Sequence, residues 1–185
     1  MYDQNIYRSR WIVKIKSILD ENGFSFLWNE PVVNDKWFKE ALGLKLKDIN
    51  QQQWQAEVEN NRLCNNYKIF KDKFDMEPYL LKLDVADRIS MTKFRCGSNR
   101  LPVSINRSSD QQELRLCHLC NMGQRGDEFH YTLVCPKFEN YRKKYVKRYY
   151  YTHPTSVKMN MLYNTTNYSE MLRLAKFLRL IMSNF

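Results

Sequence analysis

CHLCNMGQRGDEFHYTLVC, residues 117–135, carries three of the chain's five cysteines and two of its three histidines. Read as C-x2-C-x9-H-x4-C, it offers Cys117, Cys120, His130 and Cys135 as two close ligands, a loop and two more, which is how one chain closes a tetrahedron around an ion. Soft thiolates with one imidazole suit zinc, and four protein ligands leave no open position for a reacting water. The expectation is therefore a single structural Zn2+. His118 is the other imidazole of the stretch. It sits between two cysteines that both grip the ion, so its ring would turn away, and His130 is assigned as the ligand. The competing reading is a set of ordinary buried thiols around a hydrogen-bonded histidine. Gly123 and Gly126 relax the loop, and Pro136 stops extension just past the last ligand. Cys64 and Cys96 lack a partner at metal spacing, and core packing is their default.

Outward from this knuckle the patterns are helical. Ser169 can cap a stripe of Met171, Leu174, Ala175, Leu178 and Met182. PKFENYRKKYVKRYY, residues 136–150, repeats Phe138, Tyr141 or Arg142, and Tyr145 at helical spacing. Upstream, SNRLPVSINRSSDQQELR (98–115) loses periodicity and reads as a polar connector, with order expected near Leu101, Val103 and Ile105. Asp84 can cap a helix ending at Cys96 and Gly97, with Val85, Ile89 and either Met91 or Thr92 facing inward. Pro78 suggests a helix start, and Tyr67, Phe70 and Phe74 a packing face. Nearer the N-terminus, Trp11, Ile15, Ile18 and Leu19 share one helical face. A short helix after Asn34 and Asp35 carries Trp37, Phe38 and Leu42 and closes at Gly43. A weaker pattern follows, with Trp54 and Val58 on one face and Ile49, Ala56 and Leu63 on another. The expected architecture is mainly α, a bundle-like helical body with an irregular zinc knuckle between helices: residues 1–97, a connector 98–115, and 116–185, which can pack with the first region as one domain.

The chain has 185 residues, enough for a core that does not depend on metal, and its 43% hydrophobic and 27% charged residues are a globular balance. Five Gly and five Pro leave little material for turn-rich sheets. No apolar run is long enough to cross a bilayer, and MYDQNIYRSRWIVK lacks the features of a signal peptide. An intracellular setting, nucleus or cytoplasm, without a membrane partner is expected, which makes the sequons at Asn106, Asn164 and Asn167 chance matches. The formal charge of +10 points to an acidic partner, nucleic acid before anionic lipid. Two clusters carry much of it: TKFRCGSNR, with Lys93, Arg95 and Arg100, and YRKKYVKRYYY, with Arg142, Lys143, Lys144, Lys147 and Arg148. Cations neutralise phosphates and tyrosines stack on bases, so the second suits RNA or DNA; a solvated helix face whose tyrosines cover the core is the plainer reading. No phosphate loop, HExxH helix or GxSxG elbow occurs, and the pairs Asp72 with Asp75 and Asp84 with Asp87 read as helix-start and surface acids, so a non-catalytic module is expected.

KFRCGSNRLPVSINR (93–107) followed by RLCHLCNMGQRGDEFHYTLVCPKFENYRKKY (115–145) resembles the reverse-transcriptase zinc-binding domain at the C-terminal end of non-LTR retrotransposon polyproteins. In that family a basic helix and polar linker precede a paired-cysteine knuckle, and an acidic-aromatic E-x-H element leads into CP. Here Cys117 and Cys120 match the first pair, His130 and Cys135 the second, and Asp127, Glu128, Phe129 and Pro136 the surrounding pattern. The resemblance covers about residues 50–185, less distinctly at both ends. It implies a terminal fragment that helps a reverse transcriptase hold element RNA or target DNA, with the parent polymerase domain as a further partner. A zinc-stabilised docking module and an inert remnant of an element share the same core and knuckle, and remain the alternatives.

Overall fold

Asn34 shows how local chemistry starts an element: its Oδ1 accepts the Trp37 N–H at 3.0 Å, opening a long helix on Asp35. The computed structural model describes residues 10–30, 32–61, 64, 66–71 and 73–185. Leu63 and Asp72, both weighed above, lie outside the described residues. Helices dominate, and among the described residues the one β pairing is an isolated antiparallel bridge between Leu116 and Arg125. The fold is mainly α, with the Cys/His cluster nested between helices. None of the described helices is long and apolar enough to cross a membrane.

The chain divides into two compact units, residues 1–56 and 57–185. The expected connector 98–115 and the segment 116–185 fall within the second, and the division lies inside the expected first region, 1–97. In the first, α1 (Arg10–Glu21) leads through a 3-10 turn, Ser25–Asn29, to α2 (Asp35–Asn60), whose last turn belongs to the second unit. The helix expected to stop at Gly43 runs straight through it, since one glycine costs only about 1 kcal/mol inside a run of good helix formers. An aromatic corner holds this unit together: the Phe24 ring meets Phe38 edge-on at 5.5 Å and Trp37 at 6.3 Å. The face predicted for α1 is not the buried one, because Ile12 is covered while Trp11, Ile15 and Ile18 stay exposed.

In the second unit α3 (Tyr67–Phe70), α4 (Pro78–Lys82) and α5 (Val85–Arg95) come first. Asp84 caps α5, accepting the Asp87 N–H at 2.9 Å, and Gly97, with φ of +61°, ends it as the Ser98 N–H returns to the Lys93 carbonyl. Met91 and Phe94 are buried whereas Val85 and Ile89 face out, so the inward face is rotated from the expected one. Leu101 is buried ahead of α6 (Pro102–Ile105), while Ile105 and, upstream, Phe74 are exposed. After the knuckle come α7 (Glu139–Tyr145), α8 (Arg148–Tyr151), α9 (Ser156–Tyr163) and α10 (Tyr168–Met182). The basic aromatic segment is thus two helices, broken where Val146 is extended. Asn167, not Ser169, caps α10, and Met171, Leu174, Ala175, Leu178 and Ile181 pack mainly against α5 and α7.

Candidate metal centre

Two turns bring the four ligands together. On the N-terminal side the chain doubles back as a knuckle: the Cys117 N–H reaches the Gln124 carbonyl at 2.8 Å and the Gly126 N–H reaches that of Arg115 at 2.8 Å, around a turn where Gly123 takes φ of +60°. Gly126 has no room for a side chain. A Cβ there would stand 2.9 Å from the Tyr131 hydroxyl and 3.0 Å from Pro102. On the C-terminal side Asp127 accepts the His130 N–H at 2.9 Å and starts a π-helical turn, His130–Val134, closed when the Cys135 N–H donates to the His130 carbonyl at 2.7 Å. That i to i+5 bond sets two ligands five residues apart on the same side.

The donor atoms of Cys117, Cys120, His130 and Cys135 all lie within 4.8 Å of one another. Cys117 Sγ and Cys135 Sγ are 3.9 Å apart, and Cys120 Sγ and His130 Nε2 are 3.4 Å apart. Tetrahedral zinc bond lengths require edges of about 3.8 Å between sulfurs and about 3.6 Å from sulfur to nitrogen. Both pairs match. The outer shell fits as well: Gln124 Oε1 lies 3.0 Å from His130 Nδ1, which assigns the proton to Nδ1 and leaves Nε2 free to coordinate. The buried Tyr131 hydroxyl has no hydrogen-bond partner among the described residues, and a thiolate at neighbouring Cys117 is the acceptor that would satisfy it.

The thiols sit in different fields. Burial pushes Cys117 up, but the Tyr131 hydroxyl and the N–H groups of Leu119 and Cys120 outweigh it and hold the thiol below its ordinary value. Burial dominates at Cys135, pushed up to about 12 against the opposing Lys137 N–H. Burial also holds His130 below the ordinary histidine value, which favours the neutral ring a metal needs. A bound divalent cation reverses the penalty on the thiolates. Zinc with three thiolates and a neutral imidazole carries one net negative charge, and Arg142 meets it: only 4% exposed, its Nε donates to the Thr132 carbonyl at 2.8 Å and its Nη2 to the Cys135 carbonyl at 2.7 Å. The site residues fit one structural Zn2+, which would cross-link the knuckle to the π-helical turn.

Two of the cations expected to meet phosphate are therefore internal. Arg142 clamps the backbone beside the metal ligands, and Arg95, 1% exposed, donates to Glu77 at 3.0 Å and to the carbonyls of Phe70 and Tyr163. Both correct the sequence reading for the same reason: their helical phase aims them at the core. Lys143, Lys144, Lys147, Arg148 and Arg100 are exposed. Lys143 pairs with Glu139 at 2.5 Å and Lys147 with Glu170, whereas Lys144 lies over the Tyr145 ring. His118 is exposed and stands edge-on to Phe185 at 5.4 Å, outside the ligand cluster. Asp75 binds Lys71, and Asp84 is the cap of α5. Asp87 is no surface acid, being buried against Arg179 at 3.2 Å. Sequence reasoning missed the supporting roles of Gln124 and Tyr131; an amide and a phenol within seven residues of a ligand carry no spacing signature of their own.

Compared with protein-family models, curated proteins and solved structures, the chain matches none. The geometry by itself describes a mainly helical domain with a Cys3His cluster suited to one structural zinc ion.

Proposed function

We propose that this chain is a non-catalytic, zinc-stabilised module that binds RNA or DNA, chiefly through backbone phosphates, at the exposed cations of α7 and α8. The observation that carries the reading is the character of that surface. Lys144 and Arg148 are exposed and take part in no ion pair among the described residues, and Tyr141 and Tyr149 stand exposed beside them. Lys143 adds a further charge, held by an exposed carboxylate contact with Glu139 weak enough for phosphate to displace, while Lys147 is tied to the largely covered Glu170. The net charge of +10 draws a polyanion to the molecule, and the tyrosines give unstacked bases a face to rest on. The resemblance to the zinc-binding end of non-LTR retrotransposon polyproteins supports the same partner and adds a polymerase domain as a neighbour. Equilibrium binding of the zinc-loaded chain to a structured RNA and a DNA duplex across a salt series tests it. Neutralising Lys143, Lys144 and Arg148 together should lower the salt slope by roughly three units. An unchanged slope removes this surface from the account.

A second reading, a protein-docking module, is favoured by one feature: Leu81, Val85 and Ile89 leave an exposed apolar face on α4 and α5. Negligible nucleic-acid binding at low salt would select it.

A further inference from the structure

Beside the metal centre lies a cleft of about 370 Å³, lined by Lys93, Ser98, Asn99, Arg100, Leu101, Met182 and Phe185. Its two kinds of wall are chemically distinct. Lys93 and Arg100 stand exposed on the rim and take part in no ion pair among the described residues. Leu101, Met182 and Phe185 supply an apolar floor. The turn between the cations is stapled: Asn99 Nδ2 donates to the buried Glu128 at 2.8 Å, and Asn99 Oδ1 accepts the Leu101 N–H at 3.1 Å. Glu128 forms no ion pair with either rim cation among the described residues. Phe185 is held by edge contacts with Tyr131 at 5.0 Å and His118 at 5.4 Å, so the aromatic wall rests on the knuckle itself. A cleft near the small end of the range for ligand sites, with paired cations above an aromatic and a thioether, has the size and polarity of one nucleotide.

We propose that this cleft takes one unpaired nucleotide of a bound strand, its phosphate between Lys93 and Arg100 and its base against Phe185 and Met182. The inference rests on the nucleic-acid reading above and deepens it, because α7 and α8 grip backbone of any geometry whereas this cleft requires a base free of its partner. The wild-type chain should bind a duplex with a short single-stranded overhang about tenfold or more tighter than the same duplex with blunt ends.

The test measures that ratio for the zinc-loaded full chain, for the double variant Lys93→Gln/Arg100→Gln, and for Phe185→Leu, which keeps apolar bulk against Tyr131. The ratio should collapse to about one in the double variant and fall severalfold in Phe185→Leu, with zinc content unchanged in both. A wild-type ratio near one, or variants that weaken both duplexes in parallel with the ratio kept, would overturn the cleft while leaving the backbone surface standing. No binding to either duplex at low salt would overturn both. A free nucleoside monophosphate that displaces the overhang strand at micromolar concentration would assign the cleft to a diffusible nucleotide and overturn the strand reading.

Discussion

Residues 10–56 and 57–185 are both helical and both rich in large apolar side chains, yet they bury them very differently. In the first unit Ile12 and Phe24 are the buried hydrophobics, and α2 buries none. The second has a continuous core from Phe70 to Ile181, with charged groups inside it. Arg95 ties α5 to Phe70, Glu77 and Tyr163, and Arg142 ties α7 to the metal turn. Hydrophobic content alone does not separate the units. Long-range polar anchors and the ligand cluster do.

Loss of metal is the change that should divide them most sharply. Cys135→Ser removes a buried ligand at the junction of knuckle and π-helical turn, and the chain should lose zinc retention altogether and most of the ordering between residues 115 and 146. Hydrogen exchange across the chain reads this directly, and protection in 10–56 should be unaltered. Loss of protection spread evenly over both units would end the comparison. Next in size is Arg95→Met, which strands Glu77 with only Lys71 at 3.5 Å and leaves two carbonyls unpaired. Denaturant unfolding should show a loss of about 3–5 kcal/mol in the transition of the second unit. Zinc content should stay at one.

How much of this was legible in the sequence depended on the kind of signal. The ligand set was, because thiol and imidazole spacing reports tetrahedral closure whatever surrounds it. So were the Asp84 cap and the stripe of α10. The arginines were misread although the phase was there to see: Arg95 follows Met91 by four residues and Arg142 follows Phe138 by four, and each shares its neighbour's buried face. Composition weighs a cation as surface; periodicity places it. Gly43 failed as a stop because a glycine ends a helix through φ above zero, and no positive φ occurs there.

Acid gives a third, smaller effect. Zinc must compete with protons for three thiolates and a ring, so affinity measured by chelator competition should fall more than about tenfold per unit of pH on acidification. In the metal-free chain His130 has a lowered pKa, so its contribution to stability is complete above the ordinary value of 6.5 and fades as pH drops from there through the lowered folded value. Metal-free stability that rises on acidification would contradict the buried neutral ring. Arg142→Lys should be milder than Arg95→Met: the charge beside the thiolates survives while the two-carbonyl fork does not, and zinc release to a chelator should quicken roughly tenfold with one zinc still bound. Unchanged release would reduce Arg142 to packing. The smallest effect belongs to Trp11→Ala in the first unit. With 64% of that side chain exposed, stability should move by less than about 0.5 kcal/mol. A larger loss would mean that the face of α1 carrying Trp11 is covered as well as that of Ile12.

The central claim is the Cys3His zinc centre, and X-ray absorption at the zinc edge of the purified chain tests it most directly. The account predicts one zinc per chain with three sulfurs at about 2.3 Å and one nitrogen at about 2.0 Å. A shell made mainly of oxygen and nitrogen, or a chain that holds no zinc after exposure to it, would contradict it.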